Sequence, residues 1–150
     1  MTYELRRVET PEEWAALHRI RRDVLFTPER HPTGFVYNDA HPHDAASNHI
    51  KFLLMLDGAP IGTTRLDLRG ERAVVRLVAI VADRQGQGHG SVMEQALVNH
   101  AYKLGITTLM VNSAPDAVGF YEKRGWQREV WDAEELQGIA SNCVQMMKYL

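Results

Sequence analysis

The chain has 150 residues, 45% of them hydrophobic, with 17 basic and 19 acidic side chains and a formal net charge of −2. That length fits one domain that can bury a core without cross-links; the composition excludes a largely disordered chain, and no run nears the roughly 18 apolar residues of a transmembrane helix. The single cysteine, Cys143, excludes an internal disulfide and a multi-cysteine zinc site, the near-neutral balance speaks against a nucleic-acid partner, and composition alone offers no place for an anionic ligand. An N-terminus without an apolar signal-peptide core points to a cytoplasmic protein with no membrane attachment.

Residues 3–8 alternate loosely and predict a first strand. Thr10-Pro11-Glu12-Glu13 predicts a helix start, with Thr10 as N-cap, Pro11 at the first helical position and Glu13 closing a capping box. Trp14, Leu17, Arg21, Val24 and Leu25 follow at helical spacing, which carries the helix to about Phe26. Residues 27–48 hold three prolines and form the longest irregular region; long loops inside a domain are more often functional than accidental.

Residues 50–56 are apolar and Asp57-Gly58 is a hairpin turn. Residues 61–68 alternate, with Thr64, Leu66 and Leu68 on one face and Thr63, Arg65 and Asp67 on the other. Arg69-Gly70-Glu71 is a second turn, and residues 72–81 read as a central strand covered on both faces. A glycine-rich turn at 84–90 leads into a helix over 91–104, with Met93, Leu97 and Ala101 on its apolar face and Gly105 as its cap. A short strand over 106–111, a helix from Ser113-Ala114-Pro115-Asp116 to Gly125, and strands over 126–131 and 143–150 complete the chain. Cys143 then reads as a small apolar strand residue. The fold class is α/β (α+β): a mixed, mostly antiparallel central sheet flanked by helices, in one domain over residues 1–150.

Arg84-Gln85-Gly86-Gln87-Gly88-His89-Gly90 is the most informative stretch. Glycine lets backbone approach a ligand and take positive φ, while a helix start offers unpaired N–H groups and a positive dipole end. Together they suit a phosphate or pyrophosphate. The Walker pattern fails because no lysine precedes Ser91. The dinucleotide fingerprint fails because Ser91 stands where its third glycine belongs and no acidic residue follows the next strand at Val111-Asn112. A tight turn with no ligand is the plain alternative.

Gln85-Gly86-Gln87-Gly88-His89-Gly90, placed between a strand and a helix, resembles the Gln/Arg-x-x-Gly-x-Gly/Ala motif of the GNAT superfamily of N-acyltransferases. Ala117-Val118-Gly119-Phe120-Tyr121-Glu122-Lys123-Arg124-Gly125-Trp126 resembles that family's Ala-x-x-Phe-Tyr-x-x-x-Gly-Phe segment, and the element order agrees over nearly the whole chain. The resemblance implies acetyl-CoA, or another acyl-CoA, as co-substrate, bound in an opening between two central strands. It implies that the motif Gln85 to Gly90, with Ser91, holds the pyrophosphate through the amides of Gly86, Gln87, Gly88, His89, Gly90 and Ser91. It implies that Val78, Ala79 and Ile80 pair through their backbone with the pantetheine arm. Tyr121 matches the family's frequent general acid, a role its protonation near neutral pH allows; packing in the apolar helix face is its other reading. The implied reaction is direct transfer to a primary amine, of a small molecule or a protein, in a ternary complex, and the fold often pairs as a homodimer.

The sequence departs from the family in two places. No glutamate lies on the central strand, so the general base is unassigned among Asp67, Glu71, Asp44 and the loop histidines. An asparagine often found seven residues before the tyrosine is Ala114 here, and Asn112 is the nearby substitute. A non-enzymatic acyl-CoA-binding regulatory module is the alternative that the missing carboxylate suggests. Arg65 and Arg76 pair with Asp67 or Glu71, or else grip a carboxylate on the acceptor. His41-Pro42-His43-Asp44, with His31 and His49, lacks a defined metal-ligand scaffold. The expectation is no metal, and a loop that shapes the acceptor pocket.

Overall fold

The Thr10 hydroxyl accepts from the Glu13 N–H at 3.2 Å, and the Glu13 carboxylate accepts from the Thr10 N–H at 2.9 Å. This reciprocal cap contributes about 1 kcal/mol and starts α1 (Pro11–Ile20) where the sequence places it. The computed structural model describes residues 1–30 and 35–150. Around α1, in chain order, stand β1 (Tyr3–Arg7), α2 (Pro42–Ala45), β2 (His49–Leu56), β3 (Ala59–Arg69), β4 (Arg72–Ile80), α3 (His89–Lys103), β5 (Thr108–Ser113), α4 (Val118–Lys123), β6 (Gln127–Arg128) and β7 (Val144–Tyr149).

Among the described residues these strands form one sheet in the order β1-β2-β3-β4-β5-β7-β6. Only β4 and β5 run parallel, joined by the crossover through α3. Alternate side chains of β2 divide the core. Phe52 faces Leu66, Leu97 and Val118, under α3 and α4. Leu53 faces Leu17 and Ile20 of α1 on the other side. Burial of each such side chain contributes about 1.5–3 kcal/mol.

Several boundaries differ from the sequence reading. The first helix does continue to Leu25, but its last turn, Arg21–Leu25, is π-helical, closed by Phe26 N–H on the Arg21 carbonyl. The long irregular region contains the single turn α2. Helix α3 begins at His89, two residues early, because Gly88 serves as its N-cap. β5 runs later than expected because Asn112 and Ser113 still pair with Gln145 and Val144 of β7. The strand expected over 126–131 shrinks to Gln127–Arg128. Beyond it the Gln145 side chain, in place of a strand, accepts the Trp131 and Asp132 N–H groups.

Two irregularities in β4 position the site. Arg65 pairs with Arg76 and Thr63 with Ala79, so β4 carries one extra residue there, and Leu77 adopts φ +53°. This is a β-bulge holding a non-glycine residue in the left-handed region. Beside it, β4 and β5 pair only from Arg72/Thr108 to Val75/Val111. Past Val75, β4 pairs with β3 alone, and past Val111, β5 pairs with β7 alone. The two parallel strands part at that point.

Candidate active site

The glycine turn lies at the end of β4. Gly86 and Gly88 have φ of +74° and +89°, and a Cβ added at either meets nothing within 4 Å. Gly88 caps α3 without a side-chain hydrogen bond, so the first-turn N–H groups at His89, Gly90 and Ser91 have no side-chain cap. The two glutamine side chains bend back onto neighbouring carbonyls. Gln85 Nε2 donates to the Ile80 carbonyl at 2.8 Å and Gln87 Nε2 to the Asp83 carbonyl at 3.0 Å. The His89 ring is buried, with Nδ1 2.9 Å from the Tyr3 hydroxyl. Arg84, Gln85 and Gln87 remain exposed beside the open backbone of Gly86 and Gly88.

Tyr121 is 7% exposed and packs edge-on against Phe120 and Trp126. Burial, and then the nearby Glu94 charge, pushes its phenol up to about 12, above the value near 10 of an unperturbed tyrosine. It lines a narrow cleft of about 40 Å³ together with Val78 of β4 and Gly90 of α3. Three sequence-predicted positions from separate elements thus meet.

On the opposite face of the sheet, the face carrying α1, lies a cavity of about 800 Å³. Its apolar wall includes Phe26, Phe35 and Tyr37, and its charged floor includes Arg65, Asp67 and Arg76. Leu77 of the bulge lines this cavity while its neighbour Val78 lines the Tyr121 cleft. The bulge and the parting of the strands therefore separate the two spaces by a single residue step.

The floor is a chain of alternating charges. Arg21 pairs with Asp44 at 2.9 Å, Asp44 with Arg65 at 3.4 Å, Arg65 with Asp67 at 2.7 Å and Asp67 with Arg76 at 3.3 Å. Arg76 then pairs with Glu135 at 2.7 Å, and Glu135 with Arg69 at 2.9 Å. Breaking one partner out of a buried pair costs about 3–5 kcal/mol, so the chain holds the floor rigid. Burial alone would raise the Glu135 carboxyl, but hydrogen bonds from Arg76, Arg69 and Asn112 hold it at about 2.

These pairs assign Arg65 and Arg76 to ion pairs, as favoured from sequence, with one correction. Glu71 is exposed in the β3–β4 turn and pairs with neither; Glu135, from the irregular segment before β7, takes its place. Asp44 and Asp67 line the cavity but are both held by arginines. Asn112 has both ends of its amide engaged, donating to Glu135 at 3.1 Å and accepting from Gln145 at 3.0 Å. His41, His43 and His49 line the cavity, whereas His31 lies outside the described residues. Among the described residues no group of three or more histidine, cysteine and acidic side chains is arranged to hold a metal ion, and no helix is long and apolar enough to cross a membrane. Cys143 is half-buried, and burial raises its thiol.

Sequence reasoning missed Glu135 and the arginines at either end of the chain of charges. Arg21 carried a signal, since an arginine at a core-facing helix position needs a buried partner. Glu135 carried none.

The sequence-family model described as "Acetyltransferase (GNAT) domain" matches residues 12–150. The uncharacterized protein YyaT of Bacillus subtilis (strain 168) is 23% identical over 123 residues, 82% of this chain and 82% of that protein. A candidate N-acetyltransferase from Lactobacillus plantarum superposes with a TM-score of 0.78 at 20% identity, covering 100% of this chain and 99% of the other. The PaiA N-acetyltransferase of Thermoplasma acidophilum, solved in complex with coenzyme A, superposes with a TM-score of 0.74 at 16% identity over 100% of both chains. At these identities the structural likenesses concern the fold. The family match spans nearly the whole chain, and the protein belongs to the GNAT acetyltransferase family.

Proposed function

We propose that the protein is an N-acyltransferase that moves an acetyl group from acetyl-CoA to a primary amine by direct transfer, with both substrates bound together. The observation that carries this reading is the parting of β4 from β5 after Val75 and Val111, with the open glycine turn above it and separate spaces on its two faces. Acetyl-CoA supplies a thioester whose carbonyl is open to attack by an amine and whose thiol is the leaving group.

Backbone N–H groups from Gly86 to Ser91 are suited to the CoA pyrophosphate, since a helix start and positive-φ glycines concentrate donors there. The open ground around Gly86 and Gly88 fits a group of that size. Val78, Ala79 and Ile80 stand on the stretch of β4 that no longer pairs with β5, where an extended pantetheine arm can add itself as a strand would. In this reading Gln85, Gln87 and His89 shape the turn through the bonds their side chains make within the protein.

Tyr121 is assigned as the general acid. Its phenol, raised to about 12, keeps its proton throughout the neutral range, and its cleft adjoins Val78 and Gly90. It donates to the departing sulfur. Asn112, tied to Glu135 and Gln145, acts by holding the opening between the strands. The acceptor enters from the larger cavity and meets the thioester at the bulge.

Amine-dependent release of free CoA from acetyl-CoA tests the proposal. Binding of acetyl-CoA without turnover on any amine favours instead a regulatory acyl-CoA-binding module, the reading that the absence of a carboxylate on β4 between Arg72 and Ile80 supports.

A further inference from the structure

Direct transfer needs a group that takes a proton from the acceptor amine, and the carboxylates of the cavity are poorly placed to do so. Asp44 bonds Arg21 and Arg65, and Asp67 bonds Arg65 and Arg76. Both oxygens of each carboxylate already accept from an arginine N–H. The histidines remain, and their hydrogen bonds distinguish them. His41 Nδ1 accepts the His43 backbone N–H at 3.1 Å, so the neutral His41 ring carries its proton on Nε2 and has no lone pair to spare. His43 stacks edge-on between the His41 and His49 rings, at 4.6 and 5.6 Å.

His49 is bonded the other way round. Its Nδ1 lies 2.6 Å from the His43 carbonyl oxygen. A carbonyl only accepts, so Nδ1 must donate. The neutral ring then leaves the lone pair on Nε2, which lies 3.5 Å from Asp67 Oδ2. A proton arriving at Nε2 creates an imidazolium beside that carboxylate. The ring is half-buried at the start of β2, lines the larger cavity, and is in the same cavity as Leu77 of the bulge.

We propose that His49 is the general base of the transfer, with the His43 carbonyl fixing its tautomer and Asp67 facing its Nε2. This rests on the acyl-transfer reading above. His49 Nε2 takes one proton from the acceptor ammonium through water in the cavity, and the freed lone pair forms the C–N bond. The C–S bond breaks with its electrons on sulfur, which takes the Tyr121 proton; the second amine proton returns to the Tyr121 oxygen through solvent. His49 then releases its proton to bulk, so one proton leaves per turnover.

Charged and titratable groups surround His49 on several elements. Asp67 faces it from β3, with Arg65 of β3 and Arg76 of β4 paired to Asp67; the His43 ring approaches from α2, where Asp44 pairs with Arg65; and Lys51 of β2 donates to the His49 carbonyl at 2.7 Å. Asp67 is the group on Nε2 itself.

Two measurements on the full chain test the assignment. In protein labelled with ¹⁵N-histidine and free of ligand, long-range proton–nitrogen spectra of the neutral His49 ring are expected to show hydrogen on Nδ1 and a bare Nε2; hydrogen on Nε2 overturns the proposal. In the second, His49→Asn keeps a donor able to reach the His43 carbonyl but no proton acceptor. With acetyl-CoA and an amine that wild type acetylates, it is expected to lower kcat by roughly 10²–10⁴-fold, leave the KM for acetyl-CoA unchanged and abolish the acidic limb of the pH profile. A variant within twofold of wild type with that limb intact overturns the proposal while leaving the acyl-transfer reading standing. A wild-type protein that acetylates none of a broad panel of primary amines overturns both.

Discussion

Arg76 and Glu135 meet through two parallel hydrogen bonds, at 2.7 and 3.1 Å, and they do so at the first position where β4 no longer pairs with β5. Val75 and Val111 are the last pair; Arg76 and Asn112 come next on the two strands, and the Glu135 carboxylate binds both. One side chain from an irregular segment spans the opening that the proposed chemistry uses.

Glu135 ties this bridge to pH. Its carboxyl is held at about 2, against an ordinary value of 4.5, so the folded state binds the proton less readily than the unfolded one. The resulting stability is present above about pH 4.5 and is lost as the pH falls toward 2. Glu135→Gln is expected to cost about 1–3 kcal/mol at neutral pH, as for a hydrogen-bonded charged pair, and to flatten the acid side of the stability profile. Urea unfolding of both proteins from pH 7 to 2 measures this. Equal stability at neutral pH, or parallel profiles through that range, contradicts the bridge.

Gly62 sits opposite Ile80 where β3 meets the end of β4. A Cβ there would lie 2.7 Å from Ile80 Cδ1 and 3.0 Å from the Ala79 carbonyl oxygen. The methyl can shift, but the backbone oxygen belongs to the strand that borders the opening. Gly62→Ala is expected to lower stability by about 1–3 kcal/mol, the usual cost of overpacking, and to weaken acetyl-CoA binding by displacing Ala79. Chemical denaturation together with a titration of acetyl-CoA checks both; an unchanged midpoint contradicts the packing described.

Tyr121→Phe removes one hydroxyl and keeps the edge-on packing against Phe120 and Trp126. Turnover is expected to fall by roughly 10²–10⁴-fold, as for loss of a general acid, with folding intact by circular dichroism. With the phenol at about 12, Tyr121 ionisation contributes no decline in wild-type rate between pH 7 and about 10. Full turnover in the variant, or an alkaline decline in that range that disappears with the hydroxyl, contradicts the acid assignment.

These contacts differ in how far they can be read from the chain. The capping box of Thr10 and Glu13 is visible because its partners lie three residues apart, and the glycine turn because positive φ leaves its mark on composition. Alternation over β3 correctly separates Leu66, which faces the core, from Arg65 and Asp67, which face the cavity. Arg21 announces a buried partner without naming Asp44, since Asp44 lies 23 positions further along the chain. Arg76 and Glu135 are 59 residues apart, and Glu135 sits in a 3₁₀ turn with no periodic pattern. A side-chain contact likewise hides the shortening of β6, where Gln145, 14 and 13 positions away, replaces strand pairing by bonds to Trp131 and Asp132. Net charge misleads for a related reason: the open backbone donors at Gly88 and the start of α3 never enter a count of ionised side chains.

The central claim is acetyl transfer to an amine. It is tested most directly by incubating the protein with saturating acetyl-CoA and a broad panel of primary amines, following free thiol and the mass of each amine. The predicted result is CoA release that depends on at least one amine, matched by a gain of one acetyl group on that amine and reduced in step by Tyr121→Phe. Stabilisation of the protein by acetyl-CoA, with no acetylated product from any amine in the panel, would contradict it.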